Sequence, residues 1–357
     1  MSDGKARDRS NDILYFKRHL ELLPDHYTST DTNRMTLAYF GISALDLLGV
    51  LEEETSGEER SGWVEWVYAQ QVHPNEGREV ATQKQCGFRG APYAGAVFDS
   101  TNSKVCNPYD TGHLAMTYTA LAILIILGDD LSRVNREAIV SSMKDLQQAD
   151  GSFVPCPGSS ESDMRFLFCA CAISYMLNDW SGVDRERALE FVRKSESYEH
   201  AFGQQPDQEA HGGSTYCAIA ALTLLSALPT ALQNQDKTVA WLLNRQRKGF
   251  HGRPDKPDDT CYAFWVGASL KMLDAYQFVD TQALREFLET TRTKYGGYGK
   301  VPEAYPDLLH SYMGLSGLAL QDDTKREGGS RALYGPLGIS ERALGWLREG
   351  TIYWRKV

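Results

Sequence analysis

A turn in which glycine stands beside an aromatic residue recurs along this sequence and constrains its fold more than any other feature. It occurs five times, at Gly87-Phe88, Gly151-Ser152-Phe153, Phe202-Gly203, Gly249-Phe250 and Gly297-Tyr298. The steps between the last four glycines are 52, 46 and 48 residues. A period of this length is the signature of a repeat architecture, in which each unit buries its apolar face only by stacking on its neighbours.

Each turn is followed by a polar stretch and then by an apolar run that has the length of a buried helix. These runs cover residues 113–127, 164–177, 214–227, 261–274 and 308–320. Amphipathic segments, with apolar residues three or four positions apart, lie between them at 131–148, 184–195 and 279–292. With a less regular first pair at 33–51 and 60–71, they predict about six helix pairs. No segment predicts a strand.

Polar or charged residues open the apolar runs, and this regularity favours a closed ring over an open solenoid. These residues are Asp110, His113, Asp163, Arg165, His211, Asp259, Cys261, Asp307 and His310. In a barrel of inner and outer helices, the N-termini of the inner helices meet at one end of a central cavity, where helix dipoles favour anions. We therefore predict an all-α fold, an α/α barrel (toroid) with a central cavity.

The barrel is expected to take up residues 1–357 as a single domain. Residues 1–12 are predicted to be a flexible N-terminus, and residues 321–335 a polar surface loop. Residues 340–354 are predicted to form a short amphipathic helix that Ser340 could cap.

Charge and composition exclude several classes of protein. Lys and Arg number 37 against 47 Asp and Glu, and the net charge of −10 argues against a surface that binds nucleic acid. Uninterrupted apolar runs such as 121–127 are far shorter than the ~20 residues of a membrane-spanning helix. The polar start does not resemble a signal peptide, and seven cysteines without a C-x-x-C pair fit a reducing compartment. We expect a soluble cytoplasmic protein without a transmembrane segment.

Candidate zinc ligands occur in two consecutive repeats. Asp259 and Cys261 open one inner run and His310 opens the next, so a single repeat step would bring their side chains together. A catalytic zinc site uses three such ligands and leaves a fourth position open. From these residues alone, a helix-capping Asp, a buried Cys and a core His remain the alternative.

Basic and phenolic side chains cluster beside these candidate ligands. Arg253 and Lys256 lie on a turn, Tyr262 follows it, and His211 opens the neighbouring inner run. Such a set suits a diphosphate, although a solvated turn would also explain Arg253 and Lys256. Aromatic residues recur on the inner runs, and core packing would explain each alone: Tyr39, Phe40, Tyr118, Phe166, Phe168, Trp265 and Tyr312. A diphosphate site at the mouth of an aromatic cavity suits an isoprenoid diphosphate.

Five stretches of the sequence carry a family resemblance: NPYDTGHLAMTYTALAILIILGDDLSRVN, NDWSG, HGGSTYCAIAAL, GRPDKPDDTCYAFWVGASLK and DLLHSYMGLSGLAL. They resemble the β subunits of the protein prenyltransferase family, and specifically those of the type I geranylgeranyltransferases. The resemblance covers roughly residues 15–320. It implies a heterodimer with a separate α subunit, which transfers geranylgeranyl from its diphosphate to the cysteine of a C-terminal C-a-a-X sequence, X often being Leu.

The resemblance also implies roles for individual residues. Zinc binding carries over to Asp259, Cys261 and His310. Diphosphate binding carries over to His211, Arg253, Lys256 and Tyr262. Peptide selection carries over to Thr36, His113, Ala115, Phe166 and Leu309. A role in lining the prenyl channel carries over to Tyr118, Arg165, Phe168 and Trp265. The alternative is core packing for the aromatic residues and an ion pair for Arg165.

Two positions bear on the prenyl group and on the metals. In the similar farnesyltransferase β subunits a Trp matches Thr36 and shortens the cavity, so Thr36 leaves room for a fourth isoprene unit. Lys300 matches an Asp that helps to hold Mg²⁺ in those enzymes. The resemblance therefore implies one Zn²⁺ per β subunit and no requirement for Mg²⁺.

These parts imply a mechanism and leave rival functions open. The substrate cysteine would enter the open zinc position as a thiolate and attack C1 of the prenyl diphosphate. The diphosphate-binding residues, with Lys300, would stabilise the leaving group.

The rival functions are a Rab-type geranylgeranyltransferase or farnesyltransferase β subunit, a terpene cyclase of the α/α barrel type, and a non-catalytic barrel that binds prenyl groups or peptides. Asp255, Asp258 and Asp259 suggest the cyclase, but their D-x-x-D-D spacing differs from D-x-D-D.

Overall fold

The computed structural model describes residues 2–74, 86–92, 111–321 and 330–355, with side chains from residue 9 onward except that of Pro229. Cys106, Asp110 and most of the predicted loop 321–335 lie outside these ranges. The helices are α1 (Ser2–Glu21), α2 (Arg34–Leu47), α3 (Leu51–Glu54), α4 (Gly57–Tyr68), α5 (Leu114–Ile126), α6 (Arg136–Leu146), α7 (Met164–Met176), α8 (Arg185–Lys194), α9 (Gly212–Leu224), α10 (Leu228–Ala231), α11 (Gln235–Leu243), α12 (Tyr262–Met272), α13 (Thr281–Thr291), α14 (Leu308–Ala319) and α15 (Glu341–Gly350).

Six apolar helices, α2, α5, α7, α9, α12 and α14, form a closed inner ring. Each packs against the next, and α14 packs against α2, so the ring has no open edge. The outer helices alternate with them along the chain, and the amphipathic segments predicted at 131–148, 184–195 and 279–292 contain α6, α8 and α13. The predicted α/α barrel is confirmed, and so is the preference for a ring over a solenoid.

The recurring glycine-aromatic turns join the end of an outer helix to the start of an inner one. The aromatic residues of all five turns are at most 1% exposed. Four of them pair by backbone bridges with residues that follow an outer helix, as Phe202 does with Glu196 and Tyr298 with Arg292. The N–H of Phe202 also donates to the Thr215 hydroxyl on the next inner helix. The period of the glycine-aromatic turns in the sequence thus corresponds to one kind of connection between an outer and an inner helix, repeated around the ring.

Four inner helices begin with a side-chain cap, as the polar residues at their starts predicted. The side chains of His113, Asp163, His211 and Asp307 accept backbone N–H groups from the first turns of α5, α7, α9 and α14. These caps satisfy N–H groups that would otherwise lack partners. They mark the end of the ring at which the candidate site lies, which is here called the mouth.

The prediction that no strand forms is wrong. Strand β1 (Gln71–Val72) pairs antiparallel with β2 (Gly87–Phe88), and β3 (Leu333–Tyr334) pairs antiparallel with β4 (Ile339–Ser340). Strands of two residues are too short to show an alternating pattern in a sequence. The strand β3 also lies inside the predicted loop 321–335. By contrast, the predicted helix within 340–354 is present as α15, and the Ser340 side chain caps it.

Residues 2–12 of the N-terminus that was predicted to be flexible lie in α1, which begins at Ser2. Asp12 is 2% exposed; its carboxylate forms an ion pair with Arg292 at 2.5 Å and accepts the N–H of Gly297 at 2.9 Å. A buried carboxylate needs such partners. They lie about 280 residues away in the sequence, so the N-terminal composition could not reveal them.

The cysteines and the membrane prediction can be checked over the described ranges. The six cysteines within them are free thiols, and Cys106 lies outside. Among the same residues, every helix is too short or too polar to cross a membrane.

Candidate metal and diphosphate site

Asp259, Cys261 and His310 lie together at the starts of α12 and α14. One potential ligand atom from each, a carboxylate oxygen, the Sγ and a ring nitrogen, lies within 4.8 Å of the other two. His310 Nε2 is 3.4 Å from Asp259 Oδ1. The juxtaposition that one repeat step predicted is therefore present, and its oxygen, sulfur and nitrogen donors match the ligands that zinc takes in proteins.

Local hydrogen bonds hold Asp259 and Cys261 on the same side of the chain. Asp259 Oδ1 accepts the N–H of Cys261 at 2.9 Å. Thr260, between them, is fully buried on the other side; its N–H donates to the Lys300 carbonyl at 2.9 Å and its hydroxyl to the Gly299 carbonyl at 2.7 Å. The same contacts bring Lys300 to the site.

Asp307 orients the His310 ring. Its Oδ1 accepts the His310 N–H at 2.9 Å, and its Oδ2 lies 2.6 Å from His310 Nδ1. With Nδ1 engaged in this way, Nε2 is the ring nitrogen that faces Asp259. A carboxylate behind a histidine is the usual support for a metal-binding imidazole. In the sequence, Asp307 was predicted only to be a polar residue at a helix start, although a capping Asp three residues before a His is a signal for this role.

The three candidate ligands perturb one another strongly. Burial raises the pKa of the Asp259 carboxyl, but hydrogen bonds from His310 and Cys261 outweigh it, and the pKa ends below its ordinary value. Burial lowers the pKa of His310, whereas Asp259 and Asp307 raise it, to about 9 overall. Burial and the Asp259 charge raise the pKa of the Cys261 thiol well above its ordinary value. Such strong perturbation is typical of functional sites.

His211 and Tyr262 form a hydrogen-bonded pair at the adjoining helix starts. His211 Nδ1 accepts the N–H groups of Gly213 and Ser214, so the ring proton of the neutral imidazole sits on Nε2 and donates to Tyr262 Oη at 2.8 Å. Burial and the nearby Arg253 lower the pKa of His211 and favour this neutral form. The hydroxyl hydrogen of Tyr262 is left to donate to another acceptor.

The three cationic residues near the site, Arg253, Lys256 and Lys300, differ in their contacts. Arg253 Nη1 forms an ion pair with Glu209 Oε2 at 3.1 Å, and its charge acts on both His211 and Tyr262. Lys300 Nζ is 3.7 Å from Asp259 Oδ2, with the side chain 62% exposed. Lys256 is exposed on the same turn as Arg253, and its backbone N–H donates to the Arg253 carbonyl at 3.3 Å. Glu209 was missed because it lies 44 residues before Arg253, with no motif that links them.

The residues proposed to select the peptide lie on helices around the mouth. The His113 and Phe166 ring centroids are 6.0 Å apart, and Thr36 Oγ1 is 3.6 Å from Met116 Sδ. Ala115 is half-buried and Leu309 is exposed.

Arg165 forms ion pairs with Asp163 and Glu161. An ion pair was the alternative to a role for Arg165 in the prenyl channel. Its guanidinium also lies 5.2 Å from the centroid of the Phe166 ring. Tyr118, Phe168 and Trp265 lie further along the inner helices, where they contact other aromatic rings.

A protein family described as the prenyltransferase alpha-alpha toroid domain matches residues 8–337. The chain belongs to this family. This prenyltransferase is 41% identical over 312 residues to the geranylgeranyl transferase type-1 subunit beta of Dictyostelium discoideum, covering 85% of the chain and 88% of the relative. It is 39% identical over 327 residues to the protein of the same name from Arabidopsis thaliana, covering 88% and 85%.

Two further comparisons place the prenyltransferase within the family. The protein farnesyltransferase subunit beta of Arabidopsis thaliana is 29% identical over 269 residues, covering 74% of the chain and 49% of the relative. A solved structure of Candida albicans protein geranylgeranyltransferase-I complexed with GGPP has a TM-score of 0.84 at 24% identity, covers 98% of this chain and 99% of that one, and shows that the fold is shared. The identities confirm the predicted resemblance to type I geranylgeranyltransferase β subunits, and with it the class of enzyme.

The acidic residues that suggested a terpene cyclase do not act together in this prenyltransferase. Asp258 Oδ2 accepts the N–H of Gly249 at 3.0 Å, and Asp255 is exposed in a turn. Only Asp259 faces the candidate metal site. The arrangement therefore gives the cyclase interpretation no acid pair to use.

Proposed function

We propose that this chain is the catalytic β subunit of a zinc-dependent type I protein geranylgeranyltransferase. It would transfer geranylgeranyl from geranylgeranyl diphosphate to the cysteine of a C-terminal C-a-a-X sequence. The observation that carries the proposal is the convergence of Asp259, Cys261 and His310 beside the His211–Tyr262 pair at the mouth of the ring. The identity of about 40% to the two type-1 subunits supports the same activity.

The candidate ligands have a defined part in this reaction. Asp259, Cys261 and His310 would hold the zinc, and Asp307 would keep His310 turned toward it. A bound zinc ion supplies a Lewis acid that deprotonates a coordinating thiol. In the transfer, a bond forms between the cysteine sulfur and C1 of the donor, and the bond from C1 to the diphosphate oxygen breaks, so the diphosphate leaves with the electron pair.

The neighbouring residues would stabilise the leaving diphosphate. Tyr262 can donate its hydroxyl hydrogen because His211 already donates to its oxygen. Arg253 is held by Glu209 at an exposed ion pair, which contributes little and can be exchanged for a diphosphate. Lys300 supplies a further positive charge beside Asp259. Preplaced donors of this kind stabilise charge as it develops.

The proposal includes a partner, a compartment and one metal. An α subunit would complete a heterodimer, and the C-a-a-X protein would meet both chains. The enzyme would act in the cytoplasm. Zinc would be the metal that the reaction requires. Mg²⁺ would not be required, because Lys300 occupies the position that the resemblance implies to bind Mg²⁺ in the farnesyl enzymes.

The test is a prenylation assay on the chain co-expressed with a prenyltransferase α subunit. Labelled geranylgeranyl diphosphate and labelled farnesyl diphosphate are compared as donors to a peptide ending in C-a-a-Leu, with a Cys→Ser peptide as the control. We expect transfer to the Cys peptide with a preference for geranylgeranyl. A preference for farnesyl would indicate the farnesyltransferase function. A need for an escort protein would indicate the Rab-type enzyme, and the absence of transfer would contradict the proposal.

Lys300→Asp is expected to make the reaction dependent on Mg²⁺. The change removes a cation beside the leaving diphosphate and adds a carboxylate that, with the diphosphate, can bind a hard cation. We expect the variant to lose at least about tenfold in rate without Mg²⁺ and to regain it when Mg²⁺ is added, while the wild type is indifferent. Lys294→Asp, the same charge change away from the site, is the control. Indifference of Lys300→Asp to Mg²⁺ would place residue 300 away from the leaving group.

A further inference from the structure

The starts of the inner helices are tied to the rest of the ring by hydrogen bonds at the mouth. In the first five inner helices, a backbone N–H within two residues of the helix start donates to a carbonyl group at 2.8 to 3.0 Å. In every case that carbonyl belongs to the residue two positions after the aromatic residue of the next glycine-aromatic turn. The donors are Met35, Leu114, Met164, Gly212 and Thr260. One backbone contact is thus repeated five times around the ring.

The last inner helix, α14, takes a different partner. The five turns serve the five earlier inner helices, so none of them is left for α14. The N–H of Leu308, the first residue of α14, donates instead to the Tyr27 hydroxyl oxygen at 2.8 Å, although the two residues are 281 positions apart. Tyr27 lies in the 3₁₀ segment Asp25–Asn33, directly before α2. A tyrosine side chain therefore replaces the turn carbonyl where the last inner helix meets the first.

The N-terminal segment holds Tyr27 in place. Tyr27 is buried, and its own N–H donates to the Pro24 carbonyl at 2.9 Å. The centroid of its ring lies 4.4 Å from that of His26 and 5.8 Å from that of His19. The helix α1, which carries His19, is fastened to the turn before α14 through Asp12. The position of the hydroxyl is therefore fixed by packing on the last repeat.

The hydrogen bond from α14 to Tyr27 lies next to the candidate metal site. Leu308 directly follows Asp307, whose carboxylate caps α14 and supports the His310 ring. The corresponding bond of α12 is made by Thr260, which stands between the other two candidate ligands. Both helices are thus tied within two residues of the ligands that they carry. Of these six bonds, only that of α14 ends on a side chain, so a substitution can remove its acceptor.

We propose that Tyr27 is a positioning residue for the metal site, because its hydroxyl fixes the start of α14 and with it the His310 imidazole. The proposal rests on the proposed function, which supplies zinc as the metal. Tyr27 acts through Leu308 and through the Asp307–His310 pair. Without the hydroxyl a buried N–H would lack its partner, which is costly. The start of α14 would then move toward another acceptor, and His310 would move with it.

The test uses the heterodimer and measures the Kd for zinc by competition with a chelator. Tyr27→Phe keeps the ring and removes the acceptor, and Tyr27→Met fills much of the same space without an acceptor. We expect both variants to bind zinc about tenfold more weakly, the lower end of the loss found when a residue that orients a ligand is changed. The KM for geranylgeranyl diphosphate should stay near the wild-type value, because the proposed diphosphate-binding residues are unchanged.

Two further measurements separate positioning from general support of the fold. The absorption bands of the heterodimer loaded with Co²⁺ depend on the geometry of the ligands, and they should shift in both variants. Excess zinc should restore most of the turnover of Tyr27→Phe, whereas it would not repair a misfolded chain. Tyr353→Phe is the matched control, because the Tyr353 hydroxyl also pairs with a backbone group, the Val134 carbonyl, at 3.0 Å, but beyond the far end of α5. It should keep the wild-type Kd for zinc and the wild-type cobalt spectrum.

The Kd is measured on folded heterodimer, so a lower yield of a variant does not imitate a lower affinity. If Tyr27→Phe gives no heterodimer, Tyr27→Met decides the question. An unchanged Kd for zinc in the folded Tyr27 variants would overturn the inference, and so would an equal loss of affinity in Tyr353→Phe. A wild-type heterodimer that binds no zinc would contradict the proposed function itself, and the inference with it.

Discussion

Cys261→Ala is expected to strip the metal from the enzyme and to abolish prenyl transfer. The change removes one of the three side chains whose ligand atoms lie within 4.8 Å of one another. Loss of a residue that only orients a ligand already costs about 10- to 100-fold in metal affinity or activity, so loss of a ligand should cost more. We expect bound zinc to fall from about one per heterodimer to near zero, and turnover to fall by at least about a thousandfold.

Metal analysis of the purified heterodimer checks this result without relying on activity. His310→Ala should behave in the same way. Asp307→Asn should weaken zinc binding by only about 10- to 100-fold, since the amide can still cap α14 but no longer supplies a charge behind His310. Prenyl diphosphate binding should survive in all three variants, because His211, Tyr262 and Arg253 are untouched.

Cys171→Ala is the matched control for the loss of a thiol, because Cys171 is fully buried in α7. It should keep its zinc. If Cys261→Ala retains zinc and turnover, the ligand assignment is wrong. Zinc loss with full turnover would instead show that the metal is not needed for transfer.

Thr36→Trp is expected to invert the donor preference from geranylgeranyl to farnesyl diphosphate. Tyr39 and Phe40 lie three and four positions after Thr36 and share one face of α2 with it. That face reaches the neighbouring inner helices through Tyr39, whose hydroxyl contacts those of Tyr118 and Tyr312. An indole at position 36 would occupy the wall of the cavity one helical turn before Tyr39. Five buried carbons contribute up to about 4 kcal/mol, so exclusion of the fourth isoprene unit should lower C20 use by at least about a hundredfold.

The kcat/KM values for both donors check the inversion, with C15 use expected to persist. Ala38→Trp is the matched control on the same helix. Ala38 faces an external groove of about 430 Å³, which is lined by Trp63 and Trp66 of α4 and can receive an indole. That variant should keep the wild-type preference. An unchanged preference in Thr36→Trp would remove Thr36 from the account of donor length.

The external groove shows what the structure adds to the sequence at positions 36 and 38. The sequence indicated that residue 36 is small, whereas only the structure shows that Ala38, two positions later, faces a different space. A helix rotates by about 200° over two residues, so side chains two positions apart lie on nearly opposite faces of α2.

The inner helices and the candidate metal site could be predicted from the sequence because their signals are local or repeated. Apolar runs of fixed length mark α5, α7, α9, α12 and α14, and their period places equivalent residues at the same end of a ring. Asp259 and Cys261 differ from His310 by one period, so the repeat itself brought them together. The distances between these three side chains come only from the structure, because no spacing in the sequence supplies them.

Other parts of the site depend on pairings between distant segments. The ion pair of Asp46 with Arg331 joins residues 285 positions apart, and Tyr118 donates to a carbonyl 219 positions away. The acceptors in the turn between β3 and β4, residues 335–338, are backbone carbonyls, which every residue possesses, so this turn carries no side-chain signature. The sequence by itself determined the ring and which residues meet at its mouth, because helix periodicity and the order of the repeats specify both. Only the tertiary structure decided how residues 335–338 meet the inner helices, because these contacts are made by main-chain atoms whose position depends on the whole fold.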